Sequence, residues 1–193
     1  MTLYEPNWDL RRARQAYFDV NGFGDDGGYS AKWVKLKFGP FSVSFPNTQA
    51  RIRAVRFHDL HHVATEYPTD LEGEAEIGAW EVASSCAHHW AAWGLNLLAM
   101  SYGLWMCPRR LFRAFVRGRH SQNLYRREYE DVRLSQTVGE LRADLQLAAD
   151  SPAGSGADIA AFAGWGAVAA GLGLSLLAVG LLPLAVLCRI LTQ

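Results

Sequence analysis

The sequence predicts a mainly α-helical fold: a helical domain with a small β-hairpin near the N-terminus, followed by a C-terminal transmembrane helix. Three observations support this class. Apolar residues recur at helical spacing between residues 7 and 148, one short segment alternates between apolar and polar residues, and residues 159–188 carry no charge. We therefore divide the chain into a helical domain (1–148), a flexible linker (149–157) and a hydrophobic membrane anchor (158–193).

Helical and β patterns alternate in the first part of the chain. Residues 7–20 predict a helix, and residues 32–46 alternate around Gly39-Pro40, which predicts a hairpin that covers one side of the helical domain. A second helix is predicted over residues 49–65, and a third begins near Asp70. Two helices therefore follow the hairpin, joined by a short turn.

The middle of the chain is strongly apolar and then basic. Residues 82–108 contain no Lys, Arg, Asp or Glu, which predicts a buried helix with one end exposed to lipid. Together with the hairpin, this helix is expected to form a lipid-accessible groove. Five arginines between residues 109 and 119 alternate with apolar residues, a pattern typical both of a helix on an anionic membrane and of a solvated basic face. Residues 122–148 predict a polar helical segment.

The C-terminal tail differs in composition from the rest of the chain. Residues 149–157 are small and polar, which is typical of a flexible linker. At ~1.5 Å per helical residue, residues 159–188 exceed the ~30 Å hydrocarbon core of a bilayer. Pro183 leaves open a kinked helix or a short hairpin. The N-terminus has Glu5 and Asp9 and no apolar run, which predicts neither a secretory signal nor a transit peptide. We expect a bacterial inner-membrane protein whose helical domain faces the cytoplasm.

The charge and cysteine content exclude several classes. The formal net charge is +0, so nucleic acid is not an expected partner. Cys86, Cys107 and Cys188 are widely spaced and form no CxxC pair. We therefore expect a reducing compartment, with neither a disulfide framework nor a thiolate metal site.

A possible metal-ligating motif lies in the second and third predicted helices. His58 and His62 share one helix face, Asp59 is adjacent to His58, and Glu74 follows His62 after eleven intervening residues. Nitrogen and oxygen donors in this mixture suit a divalent cation, with zinc first and iron or manganese as alternatives, better than calcium. Glu81 lies two turns beyond Glu74, so it is a candidate catalytic residue, either orienting a ligand or acting as a general base. We expect the metal to lie beside the lipid-accessible groove.

These residues spell HDxxH, eleven residues, then E, and this pattern resembles the signature of the ubiquinone (coenzyme Q) biosynthesis protein four family. The resemblance covers residues 8–145, and the membrane tail is not part of it. It implies that residues 1–148 bind metal and lipid, with His58, Asp59, His62 and Glu74 holding the metal. It further implies oxidative decarboxylation, with hydroxylation at the same carbon, of a polyprenylated aromatic quinone precursor at the membrane.

Two other functions remain open at this point. The first is a non-catalytic lipid-binding scaffold that gathers other quinone-biosynthesis enzymes, or a second copy of this chain, at the membrane. The second is a di-iron lipid hydroxylase or desaturase, which HDLHH suggests because it matches an HxxHH box. Such an enzyme needs further histidine boxes, and only His88-His89 offers a partial one.

Overall fold

A computed structural model describes residues 3–38, 41–129, 134–148 and 152–191, with no side chains described for 36–38, 41, 43 and 181–191. The described chain is mainly helical with one two-stranded antiparallel hairpin, which confirms the predicted fold class. The elements are α1 (Leu10–Asn21), β1 (Trp33–Phe38), β2 (Phe41–Pro46), α2 (Gln49–Thr65), α3 (Leu71–Ser84), α4 (Trp90–Met106), α5 (Pro108–Arg119), α6 (Val138–Asp144) and α7 (Gly156–Leu191).

Side-chain caps fix where the first three helices begin. The carboxylate of Asp9 accepts a hydrogen bond from the backbone N–H of Arg12, so α1 starts later than the sequence pattern predicted. Thr48 caps α2 and Asp70 caps α3 in the same way. The sequence left the α2 cap open between Asn47 and Thr48, and it predicted only that α3 begins near Asp70. These caps set the rotation of α2 and α3 about their axes, and therefore the direction in which their side chains point.

The hairpin has the predicted register, but it packs differently. Val34 pairs with Phe45, and the Gly39-Pro40 turn lies outside the described residues. Among the described residues, the two strands contact each other far more than they contact any helix. Trp33 is 59% exposed. The prediction that the hairpin covers one side of the helical domain is therefore wrong for this part of the chain.

The core is built on α3, which packs along both α4 and α5. Trp80 of α3 is fully buried, and it belongs to an apolar cluster that joins α1, α2 and α3. A second cluster joins α3, α4, α5 and α7 around Met100 and Phe115. α2 and α3 touch each other in few places by comparison, although they are consecutive in sequence.

The uncharged segment at 82–108 is two helices rather than the single buried helix predicted. α3 ends at Ser84 and α4 begins at Trp90. Between them Ser85 and Ala87 have φ of 80° and 46°, backbone conformations that few non-glycine residues adopt. The indole N–H of Trp93 donates to the carbonyl of Ala87 and holds this connection in place.

Residues 122–148 are less helical than predicted. Their described part contains a short 3-10 turn at Leu124–Arg126 and α6, and residues 130–133 lie outside the described residues. Asn123 caps the 3-10 turn by accepting from the backbone N–H of Tyr125. This turn carries Tyr125 into the core beside α2 and α3.

The arginines of α5 are largely engaged by the protein itself. Arg110 pairs with Glu72 and Glu76, and Arg119 pairs with Asp158. Arg117 donates to the carbonyls of Thr65 and Ala148 and lies over the Tyr67 ring. These three arginines therefore bind groups within the protein. They are not free cations for either of the predicted basic faces, the one on a membrane or the one in solvent. 

The C-terminal segment forms one apolar helix, α7, as predicted. Its residues Gly156–Gly180 are long and apolar enough to cross a membrane and are almost entirely exposed. The start of α7 is nevertheless attached to the helical domain: Asp158 is buried and binds Arg119, and the Trp165 ring stacks on Trp93. The described part of the chain therefore carries one candidate membrane-spanning helix, which packs against α4 and α5 and reaches as far as Gly173 in its contact with Ser101 of α4.

Close packing of α5 on α3 gives a stability prediction. A methyl group on Gly118 would lie 2.3 Å from the carbonyl oxygen of Trp80, which is backbone and cannot move aside cheaply. We expect Gly118→Ala to lower the free energy of unfolding by at least about 1–3 kcal/mol. The control is Gly94→Ala in α4, where no atom lies within 4 Å and we expect a gain of about 0.5–1 kcal/mol. Thermal unfolding followed by circular dichroism measures both, and equal effects would contradict the packing argument.

Candidate metal site

Three side chains from α2 and α3 converge on one point. His58 and His62 lie one turn apart on α2, and their Nε2 atoms are 3.1 Å from each other. Glu74, in the first turn of α3, places Oε2 3.4 Å from Nε2 of His58 and Oε1 3.4 Å from Nε2 of His62. Among the described residues, these three are the group of histidine, cysteine and acidic side chains close enough to share a cation.

The outer partners of the two imidazoles determine which nitrogens can act as ligands. Nδ1 of His62 lies 2.8 Å from the carbonyl oxygen of Tyr67, and Nδ1 of His58 lies 2.9 Å from a carboxylate oxygen of Glu81. Both partners only accept hydrogen bonds, so each Nδ1 carries the proton. In the neutral rings both Nε2 atoms therefore present lone pairs to each other and to Glu74. A cluster made only of acceptors requires a cation, either protons or a metal.

The pKa values of this cluster reflect the same competition for positive charge. Burial by itself would lower the pKa of His58, but the charges of Glu81 and Glu74 and their hydrogen bonds raise it well above its usual value. Burial by itself would raise the pKa of Glu74, but hydrogen bonds and charge from His58 and His62 lower it to about 2. Glu74 is thus an ionised ligand at neutral pH.

The donor set and spacing fit a divalent metal. Tetrahedral zinc with bonds of about 2.0–2.1 Å separates its ligands by about 3.3–3.4 Å. The two imidazole nitrogens are 3.1 Å apart, and each lies 3.4 Å from its nearer Glu74 oxygen. The spacing does not distinguish zinc from iron or manganese, which accept the same donors. Three protein ligands leave a coordination position for water or substrate, as catalytic zinc sites do.

The fourth predicted ligand, Asp59, lies outside this group. It follows His58 directly, and successive helical residues differ by about 100° in direction. Its carboxylate accepts a 2.5 Å hydrogen bond from the hydroxyl of Tyr29 and is buried. Burial raises the pKa of Asp59, although the Tyr29 hydrogen bond and the nearby histidines oppose this shift. The Asp59 carboxylate thus joins α2 to Tyr29, in the segment before β1, beside the site.

Glu81 is completely buried and has no free oxygen. One carboxylate oxygen contacts Nδ1 of both His58 and His61, at 2.9 and 2.6 Å. The other accepts hydrogen bonds from Asn96 and from the hydroxyl of Tyr125. Burial opposes ionisation, but the two histidines lower the pKa of Glu81 below its usual range. Of the two roles predicted for Glu81, this arrangement fits a residue that orients the ligand His58.

His61 is adjacent to His62 in sequence and off the helix face that His58 and His62 share, so sequence reasoning leaves it out of the site. The structure shows that it belongs to this supporting network. Its Nε2 accepts a hydrogen bond from the backbone N–H of Leu124, so its proton lies on Nδ1 and is donated to Glu81. Burial lowers the pKa of His61, which favours the neutral ring. For Glu81 the sequence signal was weak but present, because it is the only charged residue between Ile77 and Ala87. His61 gave no such signal, because His58, Asp59 and His62 lie within three positions of it.

Access to the site is from the side of Glu74, whose side chain is 37% exposed, whereas that of His62 is 1% exposed. We expected an apolar groove between the 82–108 segment and the hairpin. A cavity of about 360 Å³ instead lies behind Tyr29, and its lining includes Arg14, Arg56 and Asp26. The residues that line this cavity belong neither to the 82–108 segment nor to the hairpin, so it is not the expected lipid groove.

The second histidine pair does not join the metal group. His88 and His89 stack on each other, and His89 also contacts the rings of Phe57 and Tyr125. His88 is exposed and His89 is buried. Within the described residues, the pair therefore adds no ligand to His58, His62 and Glu74.

Comparison with protein-family models, with curated proteins and with solved structures finds no match to this chain.

Proposed function

We propose that this protein is a metal-dependent enzyme of ubiquinone biosynthesis that acts on a polyprenylated aromatic carboxylic acid at the membrane. The observation that carries the proposal is the convergence of three side chains, His58, His62 and Glu74, whose donor atoms lie within 4.8 Å of one another. The chemical identity of the substrate comes from the HDxxH-x11-E resemblance. When bound, a divalent cation supplies a Lewis acid for the carboxylate and hydroxyl of the aromatic head group.

The proposed reaction is an oxidative decarboxylation. The bond between the ring and its carboxyl carbon breaks and a ring carbon–oxygen bond forms. With dioxygen as oxidant, the acid, O₂, two protons and two electrons give the phenol, CO₂ and water. A two-electron donor is therefore a required co-reactant. Because zinc has no redox chemistry of its own, iron or manganese fits this step better if the bound metal is to react with dioxygen.

The chain's own residues hold the ligands in place. Glu81 and the Tyr67 carbonyl keep the protons of His58 and His62 on Nδ1, so both Nε2 atoms stay available. Tyr17 stacks on the His62 ring and restricts its rotation. Glu74 is the most exposed of the three ligands and lies at the entry to the site.

For the location, we propose the bacterial inner membrane, with residues 1–148 on the cytoplasmic face. α7 is the membrane element, and its composition is the support for this proposal. The absence of a CxxC pair and the buried state of Cys86 and Cys107 agree with a reducing compartment.

The test uses the full chain, purified in a mild detergent and loaded in turn with zinc, iron or manganese. A polyprenylated hydroxybenzoate with an isotopically labelled carboxyl group is supplied with dioxygen and a reductant. We expect release of labelled CO₂ and formation of the phenol with at least one metal, and none with the metal-free protein. The matched control is the metal-free protein reloaded with the same metal. Metal binding without turnover under all three loadings would contradict the enzymatic proposal.

One observation favours a scaffold as the second candidate. The three ligands come from α2 and α3, which contact each other little, so a metal could serve mainly to join these helices. A structural metal should raise the unfolding temperature without supporting turnover. Loss of metal would then abolish binding to other quinone-biosynthesis enzymes or self-association, which pull-down and sedimentation measure.

A further inference from the structure

Helix α4 has an apolar face that no described residue covers. Trp90, Leu98 and Trp105 are 69%, 41% and 81% exposed, and they recur at intervals that place them on one side of the helix. Leu95 and Met106 are exposed beside them. No charged residue lies anywhere in α4. A helix on the surface of a water-soluble protein normally turns polar residues outward, so this face is not suited to water.

The opposite face of α4 is tightly packed. Gly103 lies so close to α3 and α5 that a methyl group there would be 2.7 Å from both Ala75 and Leu111. Met100 is fully buried in the same layer. Asn96, one turn away, donates to Glu81 in the network behind His58. The exposed face therefore belongs to a firmly placed helix that also supports the metal site.

The exposed face of α4 continues onto the candidate membrane helix α7. Trp93 and Trp165 stack with ring centroids 5.0 Å apart, and Gly173 lies against the side chain of Ser101. α7 is itself exposed at Leu174 and other apolar residues beyond this contact. The two helices thus form one uncharged surface.

The ends of this surface match the layers of a bilayer. At 17 residues α4 is about 25 Å long. An exposed tryptophan stands at each end, and the exposed Arg109 and Arg113 follow its C-terminal end. Tryptophan and arginine favour the interface between lipid head groups and hydrocarbon.

We propose that the outward face of α4, from Trp90 to Met106, contacts the phospholipid bilayer beside α7, as a second membrane-contacting helix that does not depend on the proposed chemistry. In this arrangement a flexible linker to α7 is not the only attachment of the helical domain to the membrane. The domain rests on the membrane through α4, whose other face holds Glu81 and, through it, the ligand His58.

The test labels single cysteines with a nitroxide in the full chain, reconstituted into vesicles of phosphatidylcholine and phosphatidylglycerol. Cys188 is replaced by serine, while Cys86 and Cys107 are buried. The labelled variants are Leu98→Cys on α4, Val168→Cys on α7 and Val20→Cys on α1, where the native side chain is 82% exposed. Accessibility to dioxygen, which is enriched in lipid, is compared with accessibility to a water-soluble nickel chelate.

We expect the label at Leu98→Cys to match Val168→Cys, with dioxygen accessibility several-fold higher relative to nickel than at Val20→Cys. A label at Leu98→Cys that behaves like Val20→Cys would show that the α4 face is in water and would overturn the inference. Low accessibility to both reagents at Leu98→Cys would show that protein covers the face, such as a second copy of the chain, and would also overturn it. Circular dichroism of each variant checks that the helices are retained.

Discussion

Glu74→Gln is expected to lower the affinity of the site for a divalent cation by more than about 100-fold, because it removes the charged ligand. Loss of an outer partner of a metal ligand typically costs 10–100-fold, and a direct ligand contributes more. The substitution keeps the shape of the side chain. Glu74 is also partly exposed, so the amide can be solvated and the fold should be retained.

The matched control for Glu74→Gln is Glu72→Gln in the same turn of α3. Glu72 pairs with the exposed Arg110 and is not part of the metal group. We expect this variant to bind metal as the unchanged chain does. Titration calorimetry with zinc and with manganese measures both variants. An affinity of Glu74→Gln within a few-fold of the Glu72→Gln value would mean that the carboxylate is not a ligand.

Much of the fold could be predicted because the signals are local. Thr48 and Asp70 are residues that cap helices through their own side chains, and the alternation around Gly39-Pro40 is a short-range pattern. The break between α3 and α4 was missed for a physical reason. Glycine and proline are the usual sequence signals of a break, and neither is present here. Ser85 and Ala87 have positive φ, a conformation that tertiary contacts impose and that these residue types do not predict.

The candidate site could be predicted in part for similar reasons. The i and i+4 spacing of His58 and His62 is a property of any helix, so their shared face followed from the sequence. The direction of Asp59 was misjudged because adjacency in sequence turns a helical side chain away rather than toward its neighbour. His61 was set aside for the same geometric reason. Its partner Leu124 lies 63 positions away, and no local pattern reports that contact.

The lipid groove was predicted from the composition of residues 82–108. Composition indicates that a segment has apolar surface, but it does not indicate the shape of that surface. The uncharged residues between 82 and 108 do form an apolar surface, but they spread it along the outside of α4 rather than around a cleft. Burial of one helix face against α3 uses the small residues, such as Gly103, and leaves the large ones outward. The apolar face of α4 and the entry beside Glu74 are therefore separate features of this molecule.

Glu81→Ala is expected to lower the free energy of unfolding of the metal-free protein by about 3–5 kcal/mol, the cost of removing one partner from a buried charged network. The carboxylate is fully buried and its partners are four donors, from His58, His61, Asn96 and Tyr125. Without it, these buried donors lose their acceptor and a cavity remains. Since domains are stable by only about 5–15 kcal/mol, the change is a large fraction of the total.

Two further variants separate the causes of this loss. Glu72→Ala removes an exposed carboxylate from α3, and we expect it to cost no more than about 1 kcal/mol. Glu81→Gln keeps the side-chain volume but loses the charge, and it leaves one oxygen to receive the Nδ1 protons of His58 and His61. We expect Glu81→Gln to be less destabilising than Glu81→Ala and to lower metal affinity about 10–100-fold, through poorer orientation of His58. Urea unfolding in mild detergent and metal titration measure the two effects. If Glu81→Ala were no more destabilising than Glu72→Ala, the buried network would not contribute to stability, and Glu81 would have to be regarded as free to act as a general base.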